Sequence, residues 1–300
     1  MLAEAEPART AGQTAAEVWS VRGRALSLAR PLLMGILNVT PDSFSDGGRF
    51  LHADAAVRRA VEMVEEGAGV IDVGGESTRP GAEPLPADAE VARVAPIVQL
   101  LARELDVPIS VDTVKAEVAA AALDAGASIV NDVSGFRLDP RMAAVCAAAG
   151  AGVVLMHSRG EVADMATYAH ADYGDVAGET IAELEACVER ARAAGVPDDA
   201  IVVDPGIGFS KRSEHSLRLL AELPRLAALG YPVLIGVSRK RFVGEATGVA
   251  APDARAVGSA AACAVGLMKG ASIFRVHDVR VAREALDMAF AIRNATGAES

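Results

Sequence analysis

The sequence predicts an α/β protein of the closed (β/α)8, or TIM, barrel class, with a short N-terminal β-hairpin. Two observations support this fold class. Eight short, nearly continuous apolar runs alternate with segments of helical periodicity, a pattern typical of a parallel sheet covered by helices. Each run also ends in polar residues, as expected where a barrel carries its active site. The rhythm alone leaves a doubly wound open sheet as the alternative fold.

The predicted elements follow one another regularly along the chain. Residues 18–33 alternate partly around a glycine and predict the hairpin. Several helical segments stop at a glycine just before the next strand, where glycine adopts the left-handed conformation without strain. The predicted barrel strands are residues 32–38, 69–74, 108–113, 128–135, 152–157, 200–206, 232–238 and 272–278. The helix-ending glycines are Gly67, Gly126, Gly150, Gly230 and Gly270.

Composition limits the domain organisation and the classes of function. Residues 18–300 are expected to form one domain, and residues 1–17 to be a disordered tail, since they carry acidic charge and lack the apolar core of a secretory signal. No apolar run approaches the roughly 20 residues that span a bilayer. A net charge of −11 argues against a nucleic-acid or anionic-membrane partner. The three scattered cysteines are expected to be buried thiols of a cytoplasmic protein.

Polar side chains at the strand ends would meet at one rim of the barrel. A single one is often a helix N-cap, but the whole set is better explained by a binding site. Asp112, Asn131 and Asp204 suit the edge of a flat heterocycle that carries an amidine-like pair of donors, and Lys240 would donate to its other edge. The remaining rim residues are Asn38, Asp72, Glu76, Asp132, His157, Ser238, Arg239, Arg275 and His277.

Cations at the rim predict an anionic group at the mouth. Arg275 and His277 end the last strand, close to where barrels often hold phosphate. Asn38 supplies an oxygen suited to Mg²⁺, which prefers few protein ligands together with substrate phosphates. Two polar, glycine-rich loops, residues 40–50 and 74–86, would close over the substrate, although ordinary surface turns remain the alternative.

The chain resembles the dihydropteroate synthase family, the folate-pathway enzymes that sulfonamides inhibit. The resemblance covers about residues 30–280 and rests on motifs that occur in the family's order. These are "MGILNVTPDSFSDGG", "GAGVIDVGGESTRPGA", "SVDT", "IVNDVSG", "VVLMH", "DPGIGFSK", "GVSRKRFVG" and "FRVHDV". The resemblance implies that dihydropterin pyrophosphate condenses with p-aminobenzoate, with Mg²⁺ present, to give dihydropteroate and pyrophosphate.

The resemblance also implies roles for individual residues. The pterin would be held by Asp112, Asn131, Asp204 and Lys240, in a pocket lined by Met156 and Phe209. Asn38 would face the metal and the pyrophosphate. Arg275 would stack near the pterin and, with His277, grip the pyrophosphate. The p-aminobenzoate site would be completed by the loop residues Phe44, Asp46, Arg79 and Pro80, and Thr78 is expected to bind substrate. Of all these, Asp46, Arg79, Lys240 and Arg275 are expected to be catalytic, and no role is assigned to Arg241.

Two other functions and the oligomeric state stay open at this point. A pterin-dependent methyltransferase would share the barrel and the pterin pocket but would need a methyl acceptor such as a corrinoid protein. A non-catalytic paralogue would bind a pterin or a partner without turnover. The resemblance implies a homodimer, and the small-residue helix at 258–270 is a candidate contact. The same helix could instead pack on the barrel.

Overall fold

The computed structural model describes residues 17–39, 49–76 and 85–295. Its core is a parallel sheet of eight strands in the order β8-β7-β6-β5-β4-β3-β10-β9. A parallel bridge between Val203 and Val233 joins β8 to the segment that leads into β9. The Val203 N–H also donates to the Pro232 carbonyl oxygen at 3.0 Å. The sheet is therefore closed, which confirms the barrel and rules out the open doubly wound sheet.

All eight predicted barrel strands are present, with one of them much shorter than expected. The barrel strands are β3 (Leu32–Asn38), β4 (Val70–Gly74), β5 (Ile109–Asp112), β6 (Ile129–Asp132), β7 (Gly152–Met156), β8 (Ile201–Asp204), β9 (Leu234–Ile235) and β10 (Ile273–Val276). Strand β9 has only two residues, because the chain turns immediately after it: the Lys240 N–H donates to the Val237 carbonyl oxygen, and Arg239 has a φ of 61°.

Helices cover the outside of the barrel. They are α1 (Arg49–Glu65), α2 (Ala87–Glu104), α3 (Ala116–Ala125), α4 (Met142–Ala149), α5 (Val176–Ala193), α6 (Ser213–Ala221), α7 (Leu223–Ala227), α8 (Arg241–Thr247), α9 (Ala256–Met268) and α10 (Val279–Ala295). All five of the predicted helix-ending glycines have a positive φ, between 62° and 116°, which confirms that they adopt the left-handed conformation. In the described part of the chain, no helix combines the length and apolarity needed to cross a membrane.

The predicted hairpin closes the amino end of the barrel. Strands β1 (Val18–Val21) and β2 (Arg24–Ser27) pair antiparallel. Arg22 and Gly23 between them both have positive φ, 49° and 77°, as a tight type I′ turn requires. The fully buried Trp19 donates from Nε1 to the Ala200 carbonyl oxygen at 2.9 Å. It packs against the lowest layer of barrel side chains, which includes Met34, Val70, Ile129, Val154, Val202, Leu234 and Ile273.

Alternation along the strands places the polar residues above this apolar floor. Successive side chains point to opposite faces of a strand, so residues two apart share the barrel interior. The pairs that do so are Val70 and Asp72, Ile129 and Asn131, Val202 and Asp204, and Ile273 and Arg275. In each pair the apolar residue packs on the floor and the polar residue lies one step nearer the carboxyl end. The interior is therefore apolar below and charged above.

Candidate active site

The carboxyl end of the barrel brings together the polar residues that the sequence singles out. Asp112 and Asn131 are register partners on β5 and β6, and Met156 and Asp204 are partners on β7 and β8. Arg275 reaches across from β10, and its Nη2 donates to Asp112 Oδ2 at 2.6 Å. Side chains separated by more than 160 residues in sequence thus share one ion pair at the carboxyl end of the barrel.

Asp72 is the centre of this polar cluster, although the sequence assigned it no role beyond the rim. Its carboxylate is fully buried. Asp72 Oδ2 accepts from Arg275 Nε at 2.6 Å and from Asn131 Nδ2 at 3.1 Å. These bonds fix the guanidinium plane of Arg275 and leave the Asn131 Oδ1 atom as the free end of the amide. The sequence feature that could have indicated this role is an aspartate at an interior position of the apolar strand "GVIDVG".

Burial dominates the electrostatics of the site. Burial raises the pKa of Asp112 to about 7, although the Arg275 charge opposes that rise and the Asp72 charge adds to it. Burial also raises the pKa of Asp204, while Lys240 and the Gly206 N–H oppose it. For Lys240, burial lowers the pKa to about 8 against the attraction of Asp204. Clusters of titratable groups shifted in this way are typical of functional sites.

An apolar slot lies beside the polar cluster. Met156 packs with Val114, Val133 and Met165, and the partly buried Phe209 packs against the same group. The Lys240 Nζ atom lies 4.3 Å from the centre of the Phe209 ring and donates to the Ile207 carbonyl oxygen. One wall can therefore contact the face of a flat ring while Asp112, Asn131 and Asp204 contact its edge.

The mouth of the barrel carries the groups predicted to bind an anion and a metal. The His277 Nδ1 atom lies 3.0 Å from Ser238 Oγ, which also accepts from the His277 N–H at 3.1 Å. A Cβ on Gly74 would lie 3.7 Å from the Asn38 amide oxygen and 3.9 Å from Asp112 Oδ2. Arg239, by contrast, is bound by Asp278 and Asp253.

Two of the rim residues do not face the cavity. Asp132 accepts from the Ser134 N–H at 2.7 Å and from the Phe136 N–H at 3.2 Å, so it stabilises the turn after β6. His157 is buried and hydrogen-bonded to Lys211 and to a glutamate of α5. The expectation that every strand end points to the same centre is therefore wrong for these two. Asp132 follows Asn131 and His157 follows Met156. Because successive side chains point to opposite faces of a strand, Asp132 and His157 point away from the barrel interior.

The two loops predicted to close the site lie largely outside the described residues. Phe44, Asp46, Thr78, Arg79 and Pro80 all belong to the segments that are not described, and their roles stay predictions. The base of the second loop is described. There Glu76 Oε1 accepts from the Leu85 N–H at 2.6 Å, and Glu76 Oε2 accepts from Lys115 Nζ at 2.8 Å. Lys115 also bonds the buried Glu90 at 2.6 Å. Sequence reasoning missed this lysine.

Comparison with known proteins agrees with the fold and shows the family. Residues 34–277 match the pterin binding enzyme family. The dihydropteroate synthase of Synechocystis sp. is 47% identical over 263 residues, which cover 88% of this chain and 90% of that protein. The dihydropteroate synthase of Xanthomonas albilineans with 4-aminobenzoic acid superposes with a TM-score of 0.86 at 43% identity, covering 92% of this chain and 98% of that one. The same enzyme in complex with 7,8-dihydropteroate gives a TM-score of 0.83 at 41% identity, with the same two coverages.

The chain belongs to the pterin binding enzyme family. Within that family it groups with the dihydropteroate synthases. The resemblance seen in the sequence motifs is confirmed.

Proposed function

We propose that the protein condenses 6-hydroxymethyl-7,8-dihydropterin pyrophosphate with p-aminobenzoate, giving 7,8-dihydropteroate and pyrophosphate. The observation that carries the proposal is the convergence of Asp112, Asn131, Asp204, Lys240 and Arg275 above the apolar floor of one barrel. The similar enzyme from Xanthomonas albilineans is known with 4-aminobenzoic acid and with 7,8-dihydropteroate, which matches the two ends of this reaction.

The pterin would lie flat in the barrel with its edge on the polar cluster. Its amino group and neighbouring ring nitrogen present the donor pair that a carboxylate accepts, and Asp204 and Asp112 are the available acceptors. Asn131 is held by Asp72, so its amide oxygen is fixed before the ligand arrives. Met156 and Phe209 would contact the ring face, and Lys240 would donate to the second edge.

The reacting carbon is a methylene attached to an electron-rich heterocycle. Its C–O bond would break with both electrons leaving on pyrophosphate, and the amine nitrogen of p-aminobenzoate would form the new C–N bond and release one proton. Arg275 and His277 would stabilise the departing charge, while the buried carboxylates would stabilise the pterin cation. The arylamine is neutral and attacks without a strong base. Exclusion of water by the rim would protect the cation.

The residues at the mouth fit a magnesium ion. Asn38 offers a hard amide oxygen beside Gly74, whose missing side chain leaves room around it. The described residues include no cluster of three or more His, Cys, Asp or Glu side chains that could hold a metal by themselves. A site with few protein ligands suits Mg²⁺, which keeps water and substrate phosphate oxygens around it. Bound there, Mg²⁺ would neutralise charge on the pyrophosphate.

A homodimer and a cytoplasmic location belong to the same proposal. One face of α9 packs on the barrel, where Gly266 lies against Ile235 and Phe274. The other face exposes apolar side chains, and so does the neighbouring helix α10: Val257, Val265, Met268, Met288 and Ile292. A second copy of the chain would bury this surface. The double variant Val265→Glu with Met288→Glu should therefore be a monomer in analytical ultracentrifugation.

The cysteines support the cytoplasmic location. All three are buried and unpaired, which suits a reducing compartment.

The decisive experiment for the reaction is a coupled pyrophosphate-release assay. The purified protein is given dihydropterin pyrophosphate with and without p-aminobenzoate, and with and without Mg²⁺. Release that requires both p-aminobenzoate and Mg²⁺, with dihydropteroate formed in equal amount, supports the proposal. Binding of the pterin without product would point to a non-catalytic pterin-binding protein instead.

A further inference from the structure

A fully buried lysine lies behind the pterin site. Lys211 is only 2% exposed and is among the largest fully buried side chains of the protein. Lysine is almost never buried to this extent unless it is paired, because removing its ammonium group from water is costly. No part of the condensation chemistry described above uses this residue, so its burial needs another reason.

The amine of Lys211 bonds two groups, one of which, His157, connects it to helix α5. Its Nζ lies 2.7 Å from His157 Nδ1 and donates to the Phe209 carbonyl oxygen at 3.2 Å. His157 Nε2 lies 3.0 Å from Glu183 Oε2 on α5. Since a carboxylate only accepts, His157 carries its proton on Nε2, and its Nδ1 is left to accept from Lys211. Burial and the Lys211 charge lower the pKa of His157 to about 4, which keeps the ring neutral.

The loop that Lys211 bonds contains two predicted pterin contacts. Asp204 begins this loop and Phe209 lies near its end. Gly206 within it has a φ of 64° and comes so near His157 that a Cβ there would lie 1.9 Å from the His157 carbonyl oxygen. The Gly206 N–H in turn donates to Asp204 Oδ1 at 2.7 Å. The loop is thus folded tightly around the Lys211–His157 pair.

Lys211 also acts on the charge of Asp204. Burial raises the pKa of Asp204; Lys240 opposes this most strongly, and Lys211 adds a smaller effect in the same direction. The burial that lowers the pKa of Lys211 is likewise opposed by Asp204. A protonated Lys211 would therefore add to the effect of Lys240 and favour ionised Asp204, which is the form that accepts two donors.

We propose that Lys211 is a positioning residue for pterin recognition, which holds the Asp204–Phe209 loop in its binding conformation through its bonds to His157 and to the Phe209 carbonyl. It does not touch the substrate. The inference rests on the proposed function, because the ligand whose edge Asp204 meets is taken to be the pterin.

The first test replaces the lysine by a residue of similar shape. Lys211→Met keeps the volume and removes the donor. The matched control is Lys269→Met, since the Lys269 amine donates to the Ala221 carbonyl oxygen on the outer helical layer. Affinity for dihydropterin pyrophosphate is measured by calorimetry without arylamine, and KM is measured for each substrate. We expect Lys211→Met to weaken pterin binding and raise the pterin KM by about 10- to 100-fold. We expect the p-aminobenzoate KM and the melting temperature to stay near the wild-type values.

The second test changes the acceptor instead of the donor. His157→Asn keeps an oxygen or nitrogen near the position of Nδ1, whereas His157→Leu removes it. We expect the Asn variant to retain most of the pterin affinity and the Leu variant to lose it by the same factor as Lys211→Met. The two His157 variants also test the positioning role of Lys211 if the Lys211→Met protein does not fold.

Three outcomes would overturn the inference. One is unchanged pterin affinity in a folded Lys211→Met protein. Another is an equal rise of both KM values together with a lower melting temperature, which would indicate a general structural role. The third is equal pterin affinity in the two His157 variants. Failure of the proposed function is distinguishable, because the wild-type protein would then neither bind the pterin nor release pyrophosphate.

Discussion

Replacing Asp204 by asparagine tests how the site recognises its heterocycle. Asp204 is 5% exposed, and its Oδ1 accepts from the Gly206 N–H at 2.7 Å. Asparagine has the same shape and can keep that bond through its amide oxygen, so the loop should hold its conformation. What changes is the second oxygen, which becomes an NH₂ group and presents donors to a ligand that also donates.

The magnitude follows from the bond that is lost. A hydrogen bond to a charged group contributes about 1.5–3 kcal/mol, and each 1.4 kcal/mol changes a dissociation constant about tenfold. Asp204→Asn should therefore weaken pterin binding by about 10- to 150-fold. The assay is titration calorimetry with dihydropterin pyrophosphate, and Asp124→Asn, an exposed carboxylate on α3, is the matched control.

The result that refutes this reasoning is specific. If Asp204→Asn binds the pterin within about twofold of the wild-type affinity while Asp124→Asn also does so, Asp204 is not the acceptor. A lower melting temperature for Asp204→Asn alone would show that the loop depends on the charge. In that case the shape-preserving assumption would be wrong.

Three further predictions concern charge and backbone. Because the pKa of Asp112 is raised to about 7, protonation should remove an acceptor for the pterin below that pH. Calorimetry at pH 8, 7 and 6 should therefore show the pterin affinity fall as the pH falls, by a factor that approaches about tenfold per pH unit. Arg275→Met leaves the buried Asp72 carboxylate unpaired, so urea denaturation should show a loss of about 3–5 kcal/mol as well as inactivity in the pyrophosphate assay. Gly206→Ala should lower the melting temperature more than Gly248→Ala, since both have a positive φ but only the first places a Cβ against backbone, at 1.9 Å.

Much of the fold could be predicted from local patterns. The apolar runs, the hairpin alternation and the helix-ending glycines each reflect a property of a few neighbouring residues, and the structure confirms them. The predicted length of the strand at 232–238 was too great, because its apolar residues continue past Ile235, where hydrogen bonding to β10 ends. Apolar character shows that a segment is buried and does not show where its pairing stops.

The site could be predicted only in part, for a similar reason. The parallel strands guarantee that Asp112, Asn131 and Asp204 lie at the same end, so their meeting follows from strand order. The roles of Asp72 and Lys211 depend on which distant side chain packs against each one, and no local pattern carries that information. His157 shows the limit most clearly, since a shift of one residue from Met156 turns its side chain away from the cavity.

The Trp19 hairpin has a consequence for the traffic of small molecules. Packed side chains fill the amino end of the barrel among the residues that the structure describes, so we expect both reactants to enter and both products to leave at the carboxyl end. With the pterin bound deepest, as proposed above, p-aminobenzoate and pyrophosphate would lie between it and the solvent. We therefore expect an ordered reaction, in which the pterin compound binds before p-aminobenzoate and pyrophosphate dissociates before dihydropteroate.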